Sequence, residues 1–283
     1  MMENVVMKSL INESQVRLLV VDNTKLINEI LNLNKEANTV LKLALGKTLS
    51  VMSIISGTLK GNQRISLQIT LSNPKYKIFA DADAQGNVRG YINENLSKAS
   101  FDEVNPKSLN DLIGHKGKIR IIKGSEMNQF TGITNMPYGN IVDDISHYFV
   151  QSEQTPTFLN ANMKFGEDGC LLFSQAVFAQ LLPNAQHQLM QKIKDKILSN
   201  QLFNGESNIK SNIRNHFNDV KILGHSPVQF FCGCSKEMLY GMLHSLEKDE
   251  IEQAINNKEP INTVCQICGR TFTFEQNELQ NLL

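Results

Sequence analysis

Four of the five cysteines lie near the C-terminal end of the 283-residue chain, in two unequal pairs, Cys232-x-Cys234 and Cys265-x-x-Cys268. Four thiolates are the usual ligand set of a closed, tetrahedral structural zinc site. The two-residue spacer of the second pair is followed by Gly269, which can take a positive φ and fold the backbone around a metal. A lone Cys-x-x-Cys would be weak evidence, but the two pairs together predict one zinc ion bound by all four cysteines.

The sequence around these cysteines predicts a small domain with little core of its own. Apolar residues at i, i+3, i+4 and i+7 spacing predict a first helix with a buried stripe formed by Leu239, Met242, Leu243 and Leu246. Asp249-x-x-Glu252 resembles a cap at the start of a second helix, and Thr271 to Phe274 is predicted to form a strand that covers the site. Because such a unit buries little apolar surface, we expect metal binding to supply much of its folding free energy, on the order of 10 to 16 kcal/mol.

The first cysteine pair is the less ordinary one, because a one-residue spacer holds two sulfurs close together and thiolates are the form that oxidants attack. If oxidation joined each cysteine to its near neighbour, two very short loops would replace one crosslink across a loop of about thirty residues, and the domain would loosen. Across-pair disulfides, such as Cys232 with Cys265, would instead preserve the fold. Spacing does not choose among the three connectivities. On spacing alone, a static structural zinc site is the simplest interpretation.

The charge balance gives no net field that would attract nucleic acid or an anionic membrane, because 28 basic and 28 acidic side chains cancel. Residues 232–283 are acidic, with four basic and eight acidic side chains. Phosphate contacts need a basic footprint, which argues against the alternative of a constitutive zinc module that binds nucleic acid or the ribosome. Residues 1–10 lack the apolar core of a secretory signal, and the apolar stretch 49–55 is too short to span a membrane. We therefore expect a cytoplasmic protein.

The patterns along the chain predict an α+β protein with three regions. These are a mixed α/β core domain with β-sheets and packed helices (1–183), a helical, marginally stable linker (184–231) and a small zinc-binding domain (232–283). Within the core, strands are predicted at 15–21, 64–71, 76–82, 88–92 and 118–123, two helices within 24–60, where Asn38 or Thr39 is a candidate cap, and a helix at 141–151. The linker gains little from burial because its helical spacing is sparse, at Leu189, Ile193, Ile197, Leu198 and Leu202.

Other chemically interesting residues have simpler structural interpretations. Cys170 lies beside Leu171 and is predicted to be a buried, small hydrophobic residue. His244 is predicted to be an exposed helix residue, since four thiolates already complete the ligand set. Asp81 and Asp83 are expected to accept local hydrogen bonds near a turn. Asp143 and Asp144 are expected to interact favourably with the dipole at the start of a helix.

No catalytic motif is present. The chain lacks the nucleophile elbow, the P-loop, the dinucleotide-binding glycines and the zinc-protease helix. A dithiol oxidoreductase that uses Cys265-x-x-Cys268 would need a βαβ setting, which the flanking sequence does not provide. We therefore do not expect an enzyme.

Several runs of residues are characteristic of one protein family. They are Ala80-Asp81-Ala82-Asp83, Gly86 to Tyr91, Tyr148 to Thr157, Gln180 to Pro183, Phe231 to Ser235, and Cys265-x-x-Cys268 before Phe272 and Phe274. The most specific elements among them are the two unequal cysteine pairs and the Ser-Glu-Gln stretch. Through these runs nearly the whole chain resembles the heat shock protein 33 family, cytosolic redox-regulated holdase chaperones of bacteria. Two departures are local. Gln175-Ala176 stands where the family usually has a glycine pair, and Phe272 where it usually has a tyrosine.

The resemblance implies a switch. The reduced, zinc-bound protein would be inactive. Oxidation would join Cys232 with Cys234 and Cys265 with Cys268, release the zinc, and unfold the C-terminal domain and the linker before it. The active form would bind unfolding client proteins without ATP under oxidative stress, often as a homodimer. The resemblance implies no particular role for Ser152, Glu153 and Gln154, which are typical of the family.

Overall fold

The computed structural model describes residues 3–34, 37–99, 106, 108–125, 127–199 and 209–282, with the side chains of 209–211 also left aside. The chain divides into two compact units, Met1–Phe231 and Cys232–Leu283, called unit 1 and unit 2 below. Both contain helices and strands, which confirms the predicted α+β class.

The strands are short, and most alternate between buried and exposed positions, as expected of sheets with one covered face. They are β1 (Val5–Ile11), β2 (Val16–Asp22), β3 (Arg64–Thr70), β4 (Lys77–Asp83), β5 (Asn87–Ile92), β6 (Lys118–Ser125), β7 (Asn128–Asn135), β8 (Thr157–Phe165), β9 (Leu171–Leu181), β10 (Lys221–Pro227), β11 (Gln229–Phe230), β12 (Ile261–Val264) and β13 (Thr271–Phe274).

The helices range from one turn to five turns. They are α1 (Thr24–Leu33), α2 (Thr39–Ser56), α3 (Glu94–Ser97), α4 (Leu109–Ile113), α5 (Ile141–Ser152), α6 (Gln188–Leu198), α7 (Ile209–His216), α8 (Lys236–Leu243), α9 (Lys248–Asn257) and α10 (Gln276–Gln280). The helices predicted within 24–60 and at 141–151 are confirmed as α1, α2 and α5. The Asn38 side chain accepts a hydrogen bond from the Leu41 N–H and caps α2, as predicted.

Unit 1 contains two sheets. The five-stranded sheet has the order β10-β1-β2-β9-β8, and the six-stranded sheet has the order β11-β5-β4-β3-β6-β7. Helix α2 contacts strands of both sheets and is the centre of the larger hydrophobic core. Its sequence is long and apolar enough to cross a membrane, but 72% of it is buried inside the fold, as expected of a core helix. Two buried serines of this helix accept hydrogen bonds from the Asn23 side chain, which donates to Ser50 Oγ at 2.9 Å and to Ser53 Oγ at 2.7 Å.

Residues 184–231, predicted as a helical linker, contain α6 and α7 and also strands. Ile193, Ile197, Ile213 and Phe217 are buried in a second core cluster, which packs on one face of β1, β2 and β9. Strand β10 pairs antiparallel with β1, with a register shift between Lys8 and Ser9. The thin helical stripe seen in the sequence is therefore packed against the five-stranded sheet.

Unit 2 consists of α8, α9, the β12–β13 hairpin and α10. Its core has five buried residues, Leu239, Leu243, Ile251, Phe274 and Leu279. The predicted stripe on α8 is only half right, because the helix ends at Leu243, and Met242 and Leu246 are 58% and 37% exposed. The predicted cap of the second helix is also displaced, since α9 begins at Lys248 after Glu247 and places Asp249 inside its first turn.

Candidate metal centre

The second cysteine pair lies in the turn of the β12–β13 hairpin. Val264 pairs with Thr271 at the end of the ladder, the Cys265 N–H donates to the Arg270 carbonyl at 2.9 Å, and the Gly269 N–H donates to the Cys265 carbonyl at 2.8 Å. Gly269 has a φ of 71°, as the spacing predicted. The hairpin turn therefore forms a tight zinc knuckle that carries the sulfurs of both Cys265 and Cys268.

The first pair lies in the extended segment between β11 and α8. Gly233 separates the two cysteines with a φ of 70°, a left-handed conformation that sequence reasoning did not single out. Ser235 follows directly and caps α8, since its Oγ accepts from the Met238 N–H at 3.2 Å. The one-residue spacer is thus a glycine turn held in place by the helix cap that follows it.

The four sulfurs meet at one point. Each lies within 4.8 Å of the others, and the closest contacts run across the pairs, with Cys232 Sγ 3.5 Å from Cys265 Sγ and Cys234 Sγ 3.5 Å from Cys268 Sγ. Zn–S bonds of about 2.3 Å in a tetrahedron would place sulfurs about 3.8 Å apart, so the arrangement fits the ion. Within the part of the chain that the structure describes, no other group of three or more histidines, cysteines or carboxylates could hold a metal.

Burial and hydrogen bonds shift the pKa values of Cys232, Cys234 and Cys265 in different directions. Burial raises the pKa of Cys232 far above its ordinary value and also raises that of Cys234. Burial acts in the same direction at Cys265, but the backbone N–H groups of Cys268 and Ile267 and the thiols around it outweigh burial and lower its pKa to about 7. Backbone donors aimed at a sulfur stabilise the thiolate, which is the form that binds a metal and the form that oxidants attack.

A second set of side-chain contacts stabilises unit 2 in addition to the sulfur site. Lys236 Nζ lies 2.7 Å from Glu278 Oε2 and 5.3 Å from the centroid of the Phe274 ring, and the Tyr240 hydroxyl donates to the Glu278 carbonyl at 2.9 Å. These contacts link α8 to α10 and to β13. The ion pair is partly exposed, so solvent screens it and its net contribution to stability is small.

The structure corrects one interpretation of an isolated residue. Cys170 is exposed, not buried, because it lies in the turn between β8 and β9, where its N–H donates to Asp168 Oδ1 at 3.0 Å. Asp168 raises the pKa of the Cys170 thiol, which makes it a weaker nucleophile at neutral pH. The turn residues Asp168 and Gly169, with a φ of 76° at the glycine, were the signal that could have corrected the prediction.

The other residues singled out in the sequence have structural roles. His244 is exposed at the end of α8, as predicted. Asp81 accepts hydrogen bonds from Arg64 and Ser66, and Asp83 from the backbone of its own turn. Asp144 is buried and accepts from the Tyr138 and Asn140 N–H groups, and burial raises the pKa of its carboxyl.

The comparison with known families gives a match over residues 4–275, to the family described as Hsp33 protein. The chain belongs to the Hsp33 family. This match includes all four clustered cysteines, nearly all of unit 1 and unit 2 as far as the start of α10.

Several proteins of similar length match nearly the whole chain. The 33 kDa chaperonin of Oceanobacillus iheyensis is 28% identical and covers 99% of both chains. The 33 kDa chaperonin of Bacillus cytotoxicus is 27% identical over 100% of this chain and 99% of its own. The crystal structure of the 33 kDa chaperonin of Thermotoga maritima matches with a TM-score of 0.83 and 20% identity, over 99% of this chain and 97% of that one. The family and the names of these relatives indicate a chaperone rather than an enzyme, and the solved structure matches the fold.

Replacing Cys232 with serine tests its place in the metal site. We expect Cys232→Ser to lower the metal content of the reduced protein and to speed hydrogen exchange in unit 2, because a serine hydroxyl is a poor zinc ligand. Metal content is measured by mass spectrometry under native conditions, with Cys170→Ser as the matched control, since Cys170 is exposed and lies outside the cluster. Full metal content in Cys232→Ser would remove Cys232 from the ligand set.

Proposed function

We propose that this chain is a redox-regulated, ATP-independent holdase that binds unfolding proteins and prevents their aggregation under oxidative stress. The observation that carries this proposal is the convergence of four thiols in a unit with only five buried core residues. In the reduced form, Cys232, Cys234, Cys265 and Cys268 bind one zinc ion as thiolates. The ion supplies charge neutralisation and a crosslink, and the protein in this form is inactive.

The small core of unit 2 makes its fold depend on these four sulfurs. Five buried side chains at about 1.5 to 3 kcal/mol each provide little stabilisation once the ordering of the chain is counted. A structural zinc site in a small domain contributes on the order of 10 to 16 kcal/mol at neutral pH. Loss of the thiolates therefore removes the largest stabilising term of this unit.

Oxidation is proposed to join Cys232 with Cys234 and Cys265 with Cys268. Forming each disulfide removes two electrons from a pair of thiolates, and hydrogen peroxide accepts them together with two protons from the solvent to form two water molecules. The sulfurs then no longer hold the ion. The closest sulfur contacts in the folded unit run across the pairs, at 3.5 Å, and the near-neighbour sulfurs lie within 4.8 Å, so a bond of about 2.05 Å between near neighbours requires the sulfurs to move. Two very short loops constrain the opened chain far less than one long crosslink.

The partners follow from the same proposal. The active form binds unfolded or unfolding client proteins through apolar surface and acts as a homodimer in the cytoplasm. Nucleic acid is not a proposed partner, because residues 232–283 carry four basic and eight acidic side chains and lack the necessary basic footprint. A membrane is not a proposed partner either, since the helix long enough to cross one is a core helix of unit 1.

Zinc release and aggregation measured on the same samples test the switch. We expect the reduced protein to carry one zinc and to leave the aggregation of a heat-unfolding client unchanged. Hypochlorite, or peroxide with mild heat, should release the zinc and turn suppression on, and added dithiothreitol with zinc should reverse both. Equal suppression before and after oxidation would contradict the switch, and suppression with the zinc retained would contradict the role of the metal site.

A further inference from the structure

Strand β7 is an unusual sheet edge. It is the terminal strand of the six-stranded sheet, and its outer side bonds to nothing in the part of the chain that the structure describes. Edge strands normally carry charges, prolines or bulges that prevent pairing with another chain. Residues 128–135 read Asn-Gln-Phe-Thr-Gly-Ile-Thr-Asn and contain none of these.

Each face of the edge strand carries one exposed apolar side chain. Phe130 is 77% exposed and Ile133 is 62% exposed, and Met127 beside the strand is 95% exposed. Side chains alternate between faces along a strand, so Phe130 and Ile133 lie on opposite faces. An extended chain added outside β7 would therefore find an apolar contact on each side of its backbone.

Packing on the inner face keeps β7 rigid. Helix α5 packs against this strand, and a Cβ on Gly132 would lie 2.6 Å from the Tyr148 hydroxyl oxygen, so glycine is needed for the close approach. Lys123, on the neighbouring strand, bonds to Glu153 Oε1 at 2.9 Å and fixes the end of the same helix. A strand held in this way loses little entropy when it pairs with another one.

The charges around the edge indicate the kind of partner. Strands β6 and β7 contain Lys118, Arg120 and Lys123 and no acidic residue. Lys123 is paired with Glu153, whereas Lys118 and Arg120 are exposed. Glu126, between the two strands in sequence, lies outside the described residues. A second copy docked through its own β7 would bring Lys118 and Arg120 against the same two cations, whereas an acidic partner would be attracted to them.

We infer that β7 is a docking strand that binds extended polypeptide with alternating apolar and acidic residues by adding it to the sheet edge. Main-chain hydrogen bonds supply the affinity, and Phe130 and Ile133 supply the apolar contacts. This inference deepens the proposed function, because it names a client-binding surface in unit 1. Because this edge is exposed in the folded protein, it binds extended polypeptide weakly and independently of oxidation. Oxidation of the cysteines then exposes a second contact surface for the same client.

A short peptide separates this inference from the switch. An eight-residue peptide of alternating Val and Glu should slow the hydrogen exchange of amides in 128–135 equally in the reduced and the oxidised protein. The charge-reversed peptide of alternating Val and Lys should bind roughly tenfold more weakly. No protection at 128–135 with either peptide would overturn the inference. Protection without peptide, together with a dimer mass, would also overturn it and assign the edge to a second copy.

A paired variant tests the same edge with a client. In Phe130→Thr/Ile133→Glu, threonine keeps a high strand propensity and the new carboxylate lies directly across from Arg120, so the fold should be retained. We expect peptide affinity to fall roughly tenfold or more, and the oxidised variant to release zinc normally but suppress aggregation less. The matched control is Leu33→Gln/Leu172→Thr, which also removes two exposed apolar side chains of unit 1.

The outcomes distinguish the two proposals. Equal suppression by the edge variant and the control would overturn the role of β7 and leave the redox switch standing. Failure of the oxidised wild type to suppress aggregation would contradict the proposed function, and the peptide experiment would still decide whether β7 binds extended chains.

Discussion

Removing the metal from the reduced protein is expected to unfold unit 2 and leave unit 1 folded. The core of unit 2 has five buried residues, whereas unit 1 has two clusters with many more, so only unit 2 depends on the sulfur site for most of its stability. Treatment with an excess of a strong zinc chelator under reducing conditions should abolish exchange protection in β12, β13 and α8. Amides of β2, β3 and α2 should keep their protection. The expected loss is on the order of 10 kcal/mol of coupled folding free energy.

The control for this experiment is re-addition of zinc, which should restore protection in unit 2 without any oxidant or reductant change. Magnesium at the same concentration should not, because four thiolates are a poor site for a hard cation. If unit 2 kept its protection after complete metal removal, the five-residue core would be sufficient by itself, and the proposed link between the sulfurs and unfolding would be wrong.

Replacing Phe274 with alanine is expected to have the second largest effect. Phe274 is 0% exposed, its ring lies 5.9 Å from that of Tyr240, and it fills the centre of the small core. Such a truncation costs about 3 to 5 kcal/mol. Because folding and metal binding are coupled, zinc affinity should fall by a factor on the order of 10² to 10⁴. Competition with a chromogenic chelator measures this, and the variant should also activate at lower oxidant concentrations.

Phe178→Ala is the matched control for Phe274→Ala. Phe178 is 1% exposed and packs edge-to-face on Phe149 in unit 1, so the same atoms are removed from an equally buried position. This control should lower the melting temperature of unit 1 and leave zinc affinity unchanged. Equal zinc affinity in both variants would show that the core of unit 2 and the sulfur site are not coupled.

Residues with local signals were predicted well from the sequence. The Asn38 cap, the α2 helix and the β3 strand depend on the chemistry of one side chain or on a short periodic pattern. The convergence of the four cysteines was predictable for a different reason. The identity and number of soft ligands already indicate a closed site, whatever chain path brings them together.

Features that depend on distant pairing were not predicted. The residue types of strand β10, Lys-Ile-Leu-Gly-His-Ser-Pro, do not alternate between apolar and polar, although its burial does. Its partner β1 lies more than 200 residues earlier, so no local sequence pattern marks the pair. Strand β7 was also missed, because its exposed apolar residues do not follow an inside-outside alternation. Met242 and Leu246 were predicted to lie on the apolar stripe of the first helix of unit 2. Both are exposed, because the core of this unit is too small to cover them.

The pairing of β10 with β1 sets how far a released chain can reach. If unfolding stops at this ladder, residues 232–283 move freely, with a root-mean-square end-to-end distance of about 40 Å for a flexible coil. If the ladder also separates and the helices before it detach, residues 184–283 are released and the distance grows to about 55 Å. The β10–β1 ladder, the β11–β5 pairing and the packing of α6 and α7 therefore decide together between these two distances that the released chain can reach.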